Sequence, residues 1–342
     1  MHLNHPLNIA IVGASGVIGE TMISVLEQRN FPVKNLFPLA SIRSAGKTIM
    51  FHNKSIEILD LAEFDFKNID IALFSAGSDV SKQYVPIAVN SGCIVIDNSS
   101  CFRYVDEIPL VIPEVNPHRI IEYQNQGIIA NPNCSTIQML VALKPIYDAC
   151  GISRINVATY QAVSGSGRKA IAELLFQISE LLNGKSITPE VYSQQIAFNV
   201  LPHIDEFQDN GYTREEMKIV WETRKILEDQ AIMINPTTVR VPVLYGHSEA
   251  IHIEMKAALS ADAVRELLQQ APGVRVIDEP QTLQYPTAFM HAIGADDVFV
   301  GRIREDISHP CGLNLWVVAD NTRKGAATNA IQIAEILHQE YL

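Results

Sequence analysis

The chain has 342 residues, 47% hydrophobic and 19% charged, with 18 glycines and 17 prolines, the makeup of a globular protein with length for two domains. Its formal charge of −12 argues against a nucleic-acid partner, which requires clustered Lys and Arg to displace phosphate counterions, whereas a small anionic substrate needs only a few local arginines. No apolar run approaches the roughly 18 residues of a membrane span, and Met1 to Pro6 lacks the layout of a signal peptide, so the expectation is a cytoplasmic protein with no membrane partner.

Leu7 to Val12 is a short apolar run ended by Gly13, and Val17 to Arg29 then has helical spacing through Val17, Ile18, Met22, Val25 and Leu26. Further buried strands are expected at Ile69 to Phe74, Cys93 to Ile96 and Gly127 to Ala130, with a helix at Val80 to Ser91 between them. Apolar strands alternating with helices predict an α/β fold with a parallel, doubly wound sheet. After about residue 150 the pattern changes: Ile251, Ile253 and Met255 alternate with His252, Glu254 and Lys256, as in a half-exposed antiparallel strand. Val298 to Arg304 and Leu313 to Ala319 are similar. Helices at Arg168 to Leu182, Arg214 to Glu228 and Ala261 to Gln270 complete an α+β half, and Gly325 to Leu342 reads as a last helix with Ile331, Ala334 and Leu337 or Leu342 on its apolar side.

Gly13-Ala14-Ser15-Gly16-Val17-Ile18-Gly19 follows the first strand and opens the first helix. A dinucleotide pyrophosphate can rest there on backbone N–H groups at the positive helix end, with Gly13, Ser15, Gly16, Val17 and Gly19 as contacts; a plain glycine turn is the alternative. An NAD-specific fold places an acid about 20 residues further on to accept from the ribose hydroxyls. From Gln28 to Ile56 there is none, while Ser41-Ile42-Arg43-Ser44-Ala45-Gly46-Lys47 follows the second strand. Ser41, Arg43 and Ser44 therefore point to the 2′-phosphate of NADP, against the alternative of a solvated basic loop.

The five cysteines, Cys93, Cys101, Cys134, Cys150 and Cys311, are widely spaced with no CxxC pair, so neither a disulfide framework nor a metal site is expected. Cys134, in Asn131-Pro132-Asn133-Cys134-Ser135-Thr136, joins a strand to an apolar helical stretch, where the helix dipole favours thiolate and N–H groups can hold an oxyanion. For its proton-transfer partner the candidate is His247, with His203 and His291 as rivals that spacing does not exclude. Gln161, before Ser164-Gly165-Ser166-Gly167, orients the reacting group or is an ordinary strand-end amide.

The segments GASGVIGE, SIRSAGK, NSSCFR, NPNCST, YQAVSGSG, FNVLPHID, RVPVLYGHSE and DNTRKGAA resemble, in order, the signature blocks of the aspartate-β-semialdehyde dehydrogenases, in the form of the family's shorter, non-enterobacterial-type branch. The resemblance implies a Rossmann-type NADP-binding domain from residues 1–132 plus 323–342, and a catalytic and dimerisation domain, 133–322, on a mixed, largely antiparallel sheet. It implies Cys134 as acyl-thioester nucleophile, His247 as acid/base and Gln161 as orienting neighbour. Arg240 matches the anchor of the substrate carboxylate, and Glu215, exchangeable with Glu216, the partner of the amino group. Arg103 and Lys218 match a phosphate-binding pair with Asn133 nearby, and Ser164, Gly165 and Asn321 match cofactor contacts, Asn321 beside the nicotinamide. The implied reaction is NADPH-dependent reductive dephosphorylation of L-4-aspartyl phosphate to L-aspartate 4-semialdehyde, feeding lysine, threonine, methionine and diaminopimelate biosynthesis. Alternatives are an N-acetyl-γ-glutamyl-phosphate reductase and a non-catalytic nucleotide-binding paralogue. Large residues on both faces of one strand, Leu315 and Val317 against Trp316 and Val318, lead to the expectation of a homodimer formed sheet to sheet, as in the family; pairing of dimers into a tetramer stays open.

Overall fold

The computed structural model describes residues 5–342, which fall into two compact units, 5–133 with 326–342, and 134–325. In the first unit, β1 (Leu7–Val12) leads through a turn into α1 (Val17–Gln28), followed by β2 (Val33–Ala40), the hairpin β3 (Thr48–Phe51) and β4 (Lys54–Glu57), and β5 (Leu59–Asp60). Then come β6 (Ile71–Phe74), α2 (Ser78–Asn90), β7 (Ile94–Asp97), α3 (Tyr123–Gln126) and β8 (Ile128–Ala130). Six strands form one sheet in the order β5-β2-β1-β6-β7-β8, every pair parallel. Wholly apolar strands such as β6 are buried on both faces, as a parallel sheet covered by helices requires. Strand order reverses beside β1, so a crevice opens at the carboxyl ends of the strands there.

The hairpin β3–β4 has strands of four residues each and lays Ile49, Phe51 and Ile56 on the core, and its turn places His52 and Asn53 at φ 47° and 60° without a glycine; strands this short are not predicted from the sequence. The last helix, α8, runs over Thr328–Glu340 and returns to this unit. Its Ile331, Ala334 and Leu337 share one core with Met22, Leu26 and Ile9, whereas Leu342 is exposed. Regular helix does not begin at Gly325 as the sequence suggests, because Arg323–Ala327 forms a wider π turn.

The second unit begins with α4 (Cys134–Cys150) and contains β9 (Ile152–Gln161), α5 (Arg168–Leu182), α6 (Arg214–Leu227), β10 (Met233–Arg240) and β11 (His247–Met255). It continues with α7 (Ala261–Gln269), β12 (Val274–Val276), β13 (Val298–Glu305) and β14 (Gly312–Ala319). The sheet order is β10-β9-β11-β14-β13-β12. Its three inner pairs are antiparallel and its two outer pairs parallel, a mixed sheet. Helix α4 packs across β9, β11, β13 and β14, and Ser135 to Leu143 are all buried. On β11, Ile251, Ile253 and Met255 are buried and His252 and Glu254 half-buried, which is the expected alternation. On β14, Leu315 and Val317 point inward, and Trp316 is half-buried with its ring 5.6 Å from that of Tyr160. Val318 is covered within its own unit by Phe299 and Ala292, so it is unavailable to a partner. Among the described residues no helix is long and apolar enough to cross a membrane.

Candidate active site

In the first unit, the turn after β1 is built for close backbone approach. Gly13 has φ 90°, and a side-chain carbon there would lie 3.0 Å from Ser75; at Gly19 it would lie 2.2 Å from the Gly13 carbonyl oxygen. Gly16 is the N-cap of α1 and, having no side chain, leaves the backbone at the positive end of the helix open to close approach. A cleft of about 620 Å³ opens at this point, lined by Gly13, Ser15, Gly16, Ser41, Ser75 and Tyr84 among others, within the range of small-ligand sites. These features fit a dinucleotide. Arg43 is exposed in the turn after β2, where the Ser44 N–H bonds the Ser41 carbonyl. Asp60, at the end of β5, also lines the cleft and accepts from the Ala62 N–H; it lies beyond the acid-free stretch from Gln28 to Ile56.

The loops after β7 and β8 are fixed by buried polar groups. Asp97 accepts from the Ser81 and Ser99 hydroxyls, at 2.8 and 2.6 Å, and burial pushes its carboxyl up despite those bonds. Arg103 is buried and donates from Nη2 to the Asn98 carbonyl at 2.9 Å. The Asn131 amide bonds Asn98 and the Ala326 carbonyl and accepts from Asn329. Asn133, buried, ends this unit.

In the second unit Cys134 is the first residue of α4 and remains partly exposed. A side-chain carbon at Gly325 would sit 2.9 Å from its Cβ, so glycine is required beside it. One turn along α4, on the same face, the Gln138 amide lies 3.5 Å from the His247 carbonyl oxygen. His247 is fully buried; its Nδ1 accepts from the Ala162 N–H at 3.0 Å, and its Nε2 has no partner. Burial, reinforced by the Arg240 charge, lowers its pKa to about 3, so the ring is neutral. With Nδ1 accepting, the proton of the neutral ring is assigned to Nε2, which is therefore a hydrogen-bond donor.

Arg240, at the end of β10, donates from Nη1 to the Ala162 carbonyl at 2.6 Å, and its guanidinium lies 6.0 Å from the Tyr192 ring. A side-chain carbon on Gly165 would be 3.1 Å from that Nη1 and 3.5 Å from the His247 ring, so the glycine allows both to converge. Asn321 accepts from the Gly246 N–H at 2.9 Å and donates to the Ser164 hydroxyl at 3.0 Å, fixing the backbone on either side.

The hydrogen bond to the His247 ring comes from the backbone N–H of Ala162 and not from the Gln161 amide. The Gln161 amide accepts from Thr159 at 3.0 Å and donates to Glu215 at 3.1 Å. Glu215 also pairs at 3.0 Å with Lys218, whose ammonium reaches Asp205 at 2.7 Å. Of the two acids that the sequence leaves exchangeable, Glu216 is consumed by its helix cap. Its carboxylate accepts from the Thr213 and Thr238 N–H groups while the Thr213 hydroxyl accepts from its own N–H. The rival histidines lie elsewhere: His203 stacks on Phe207 at 4.7 Å, and His291 accepts from the Thr287 N–H in a surface turn. Thr159, Ala162, Tyr192 and Asp205 have no signal in the sequence beyond the alternation that puts Thr159 and Gln161 on one side of β9.

A thiol at a helix start, a neutral imidazole donor, a guanidinium and a braced carboxylate are suited to acyl transfer on a substrate bearing carboxylate and ammonium groups. Comparison with known proteins agrees in type. The model for the semialdehyde dehydrogenase NAD binding domain matches residues 8–123, and that for the semialdehyde dehydrogenase dimerisation domain matches residues 143–324. An aspartate-semialdehyde dehydrogenase of Legionella pneumophila is 66% identical over 340 residues, 99% of this chain and 98% of that protein. The crystal structure of aspartate semialdehyde dehydrogenase II complexed with ASA, from Vibrio cholerae, superposes with a TM-score of 0.97 at 57% identity, covering 99% of this chain and 100% of that one. An aspartate semialdehyde dehydrogenase with NADP from Candida albicans superposes with a TM-score of 0.77 at 26% identity, covering 97% and 98%. With two family models spanning most of its length and relatives aligned end to end, the chain belongs to the aspartate-semialdehyde dehydrogenase family.

Proposed function

We propose that this chain interconverts L-4-aspartyl phosphate and L-aspartate 4-semialdehyde with NADP(H), through a thioester on Cys134. The carrying observation is the convergence of a neutral His247, its Nε2–H unpartnered, with Arg240 and the Glu215 cluster beside the helix that starts on Cys134.

In the reductive direction the Cys134 thiolate attacks the acyl phosphate carbonyl, the C–O bond to phosphate breaks, and a thioester remains on Sγ. A free thiol of pKa about 8.5 is only a few per cent ionised at neutral pH, so the helix start has a definite task. His247, already protonated at Nε2, enters as a hydrogen-bond donor to the carbonyl oxygen as it gains charge rather than as a base for the thiol. The turn at Gly13 would hold the reduced nicotinamide dinucleotide, which would supply a hydride to the thioester carbonyl carbon. Collapse of the resulting oxyanion expels Sγ as thiolate and releases the aldehyde. Arg240 holds the substrate carboxylate, and Glu215, oriented by Gln161, accepts from its ammonium. That acid favours a free amino group over the blocked one of an N-acetyl-γ-glutamyl phosphate. Arg103, Lys218 and Asn133 serve the leaving phosphate; Ser41, Arg43 and Ser44 serve the 2′-phosphate, with Ser164, Gly165 and Asn321 toward the nicotinamide. The first unit is then the NADP-binding domain and the second the catalytic one, which pairs with a second copy through its half-exposed sheet face.

Replacing Cys134 by Ala should abolish turnover while leaving NADP binding within about threefold, because the thiol serves only the covalent step. Mass spectrometry of wild type mixed with substrate should show an acyl adduct on that residue. Appreciable turnover in the variant would sink the thioester route.

A further inference from the structure

Two residues beyond His247, on the same side of β11, a second titratable group is buried without a role in this chemistry. Glu249 has no solvent exposure, and among the described residues neither of its carboxyl oxygens has a hydrogen-bond partner. It faces the start of α4, which packs on β11, and Gln138 and Ser135 are the side chains that bear on its carboxyl group, although neither of its oxygens completes a hydrogen bond with them. These are the residues one and four positions after Cys134. Both Glu249 oxygens and the Gln138 Oε1 are buried acceptors with no donor. A proton on the carboxyl group repairs this, since a neutral acid donates to one acceptor while its other oxygen accepts from a hydroxyl or amide. Burial drives the group the same way, holding its pKa well above the usual carboxylate range. The Gln138 amide also approaches the His247 carbonyl at 3.5 Å, so one amide touches both the strand that carries His247 and the acid two residues on.

We propose that Glu249 is a positioning residue that ties the first turn of α4, and with it Cys134, to the strand carrying His247. The uncharged state is part of the device. A carboxylate at this depth would raise the energy of the thiolate at the same helix start, whereas a neutral acid fixes the turn without opposing that charge. A buried acid would ordinarily be replaced by an apolar residue at no loss, because an unionised carboxyl contributes little to stability beyond its hydrogen bonds; here the partners it holds are those next to Cys134. The inference rests on Cys134 being the nucleophile.

The test compares wild type, Glu249→Gln and Glu249→Leu for kcat, for the Michaelis constants of semialdehyde and phosphate in the oxidative direction, and for the pH dependence of Cys134 alkylation by iodoacetamide. Glu249→Gln, neutral and able to donate and accept, should keep kcat within about threefold and leave the alkylation profile in place. Glu249→Leu should lower kcat by about tenfold or more with little change in either Michaelis constant, and should shift the alkylation profile to higher pH. Wild-type kcat and alkylation in a folded Glu249→Leu protein would overturn the proposal, as would a Glu249→Gln enzyme impaired as deeply as the leucine variant, which would mean that the charge is what matters. Should the leucine variant not fold, Gln138→Leu takes its place with the same expected loss of kcat, and unimpaired turnover there counts against the tie. If alkylation of Cys134 leaves wild-type turnover intact, it is the nucleophile assignment that fails, a separable result.

Discussion

Lys218 shares its ammonium between two carboxylates of unequal exposure, Glu215 at 8% and Asp205 at 30% of the side chain. The pair raises its pKa over the opposing effect of burial, so the charge is present but doubly neutralised. A phosphate dianion recruiting this lysine would displace the more exposed partner. Asp205→Asn, which suits the left-handed φ of 68° at this position, should therefore lower the Michaelis constant for phosphate by a few-fold, on the order of 1 kcal/mol, and hardly move that for semialdehyde. A rise in the phosphate constant would show that Lys218 serves Glu215 alone. Arg43 is exposed in the turn whose Ser41 and Ile42 line the cleft, and Arg43→Ala should weaken NADP by about ten- to hundredfold with NAD little affected, the loss expected for one charge-assisted contact of about 1.5 to 3 kcal/mol. Equal weakening of both cofactors in a binding titration would leave the arginine only a shaping role in its loop.

Among the elements, the strand-turn-helix from β1 to α1 depends on contact between its own ends. Because a side-chain carbon at Gly19 would meet the Gly13 carbonyl at 2.2 Å, Gly19→Ala must push α1 away from the turn. The expected cost is about 1 to 3 kcal/mol of stability together with weakened dinucleotide binding; a variant with unchanged urea midpoint and NADP affinity would show that the helix is not held as described. Helix α6 shows how a cap distinguishes two adjacent acids. The Thr213–Glu216 capping box binds one of two adjacent acids to backbone N–H groups, and the helix rotation then turns Glu215 toward Gln161 and Lys218. In α4 the regular helix starts on Cys134 itself, so the thiol lies where the dipole acts most strongly.

For the molecule as a whole, the buried neutral groups make stability depend on pH in opposite directions. His247 has a folded pKa of about 3 against an ordinary 6.5, so below 6.5 the unfolded chain binds a proton that the folded one refuses. Its contribution is present above the ordinary value and is lost as pH falls toward the folded one, at about 1.4 kcal/mol per pH unit. Glu249, with its pKa raised from 4.5, instead favours the fold in acid and penalises it as pH rises above its ordinary value, so the wild-type curve mixes the two. The difference between His247→Asn and wild type isolates the first: the variant should gain about 2 kcal/mol relative to wild type between pH 7 and pH 5 in urea unfolding. A difference independent of pH would mean that the imidazole is not held neutral. The half-exposed face of the second sheet carries Tyr160, Trp316 and a His252–Asp306 pair at 2.8 Å, and light scattering that showed a stable monomer at micromolar concentration would remove that face as a pairing surface.

The chain's local patterns determined a good deal by themselves. Six-residue apolar runs and glycine spacing mark β1, the phosphate turn and α1, the repeat of apolar residues delimits α5 to the residue, and the position of Cys134 after an apolar strand announces a thiol at a helix start. These are legible because dihedral preference and amphipathic period act over a few neighbouring residues. Only the tertiary structure decided that the Ala162 N–H bonds the His247 ring, that Glu215 is held by Gln161, that Lys218 is already paired with Asp205, and that Glu249 is a buried acid whose oxygens have no hydrogen-bond partner among the described residues. Each depends on groups 13 to 114 positions apart in the chain or on depth from solvent. Hydrogen-bond partnership and desolvation at that range leave no periodic trace along the sequence, because they are properties of the space that the folded elements enclose.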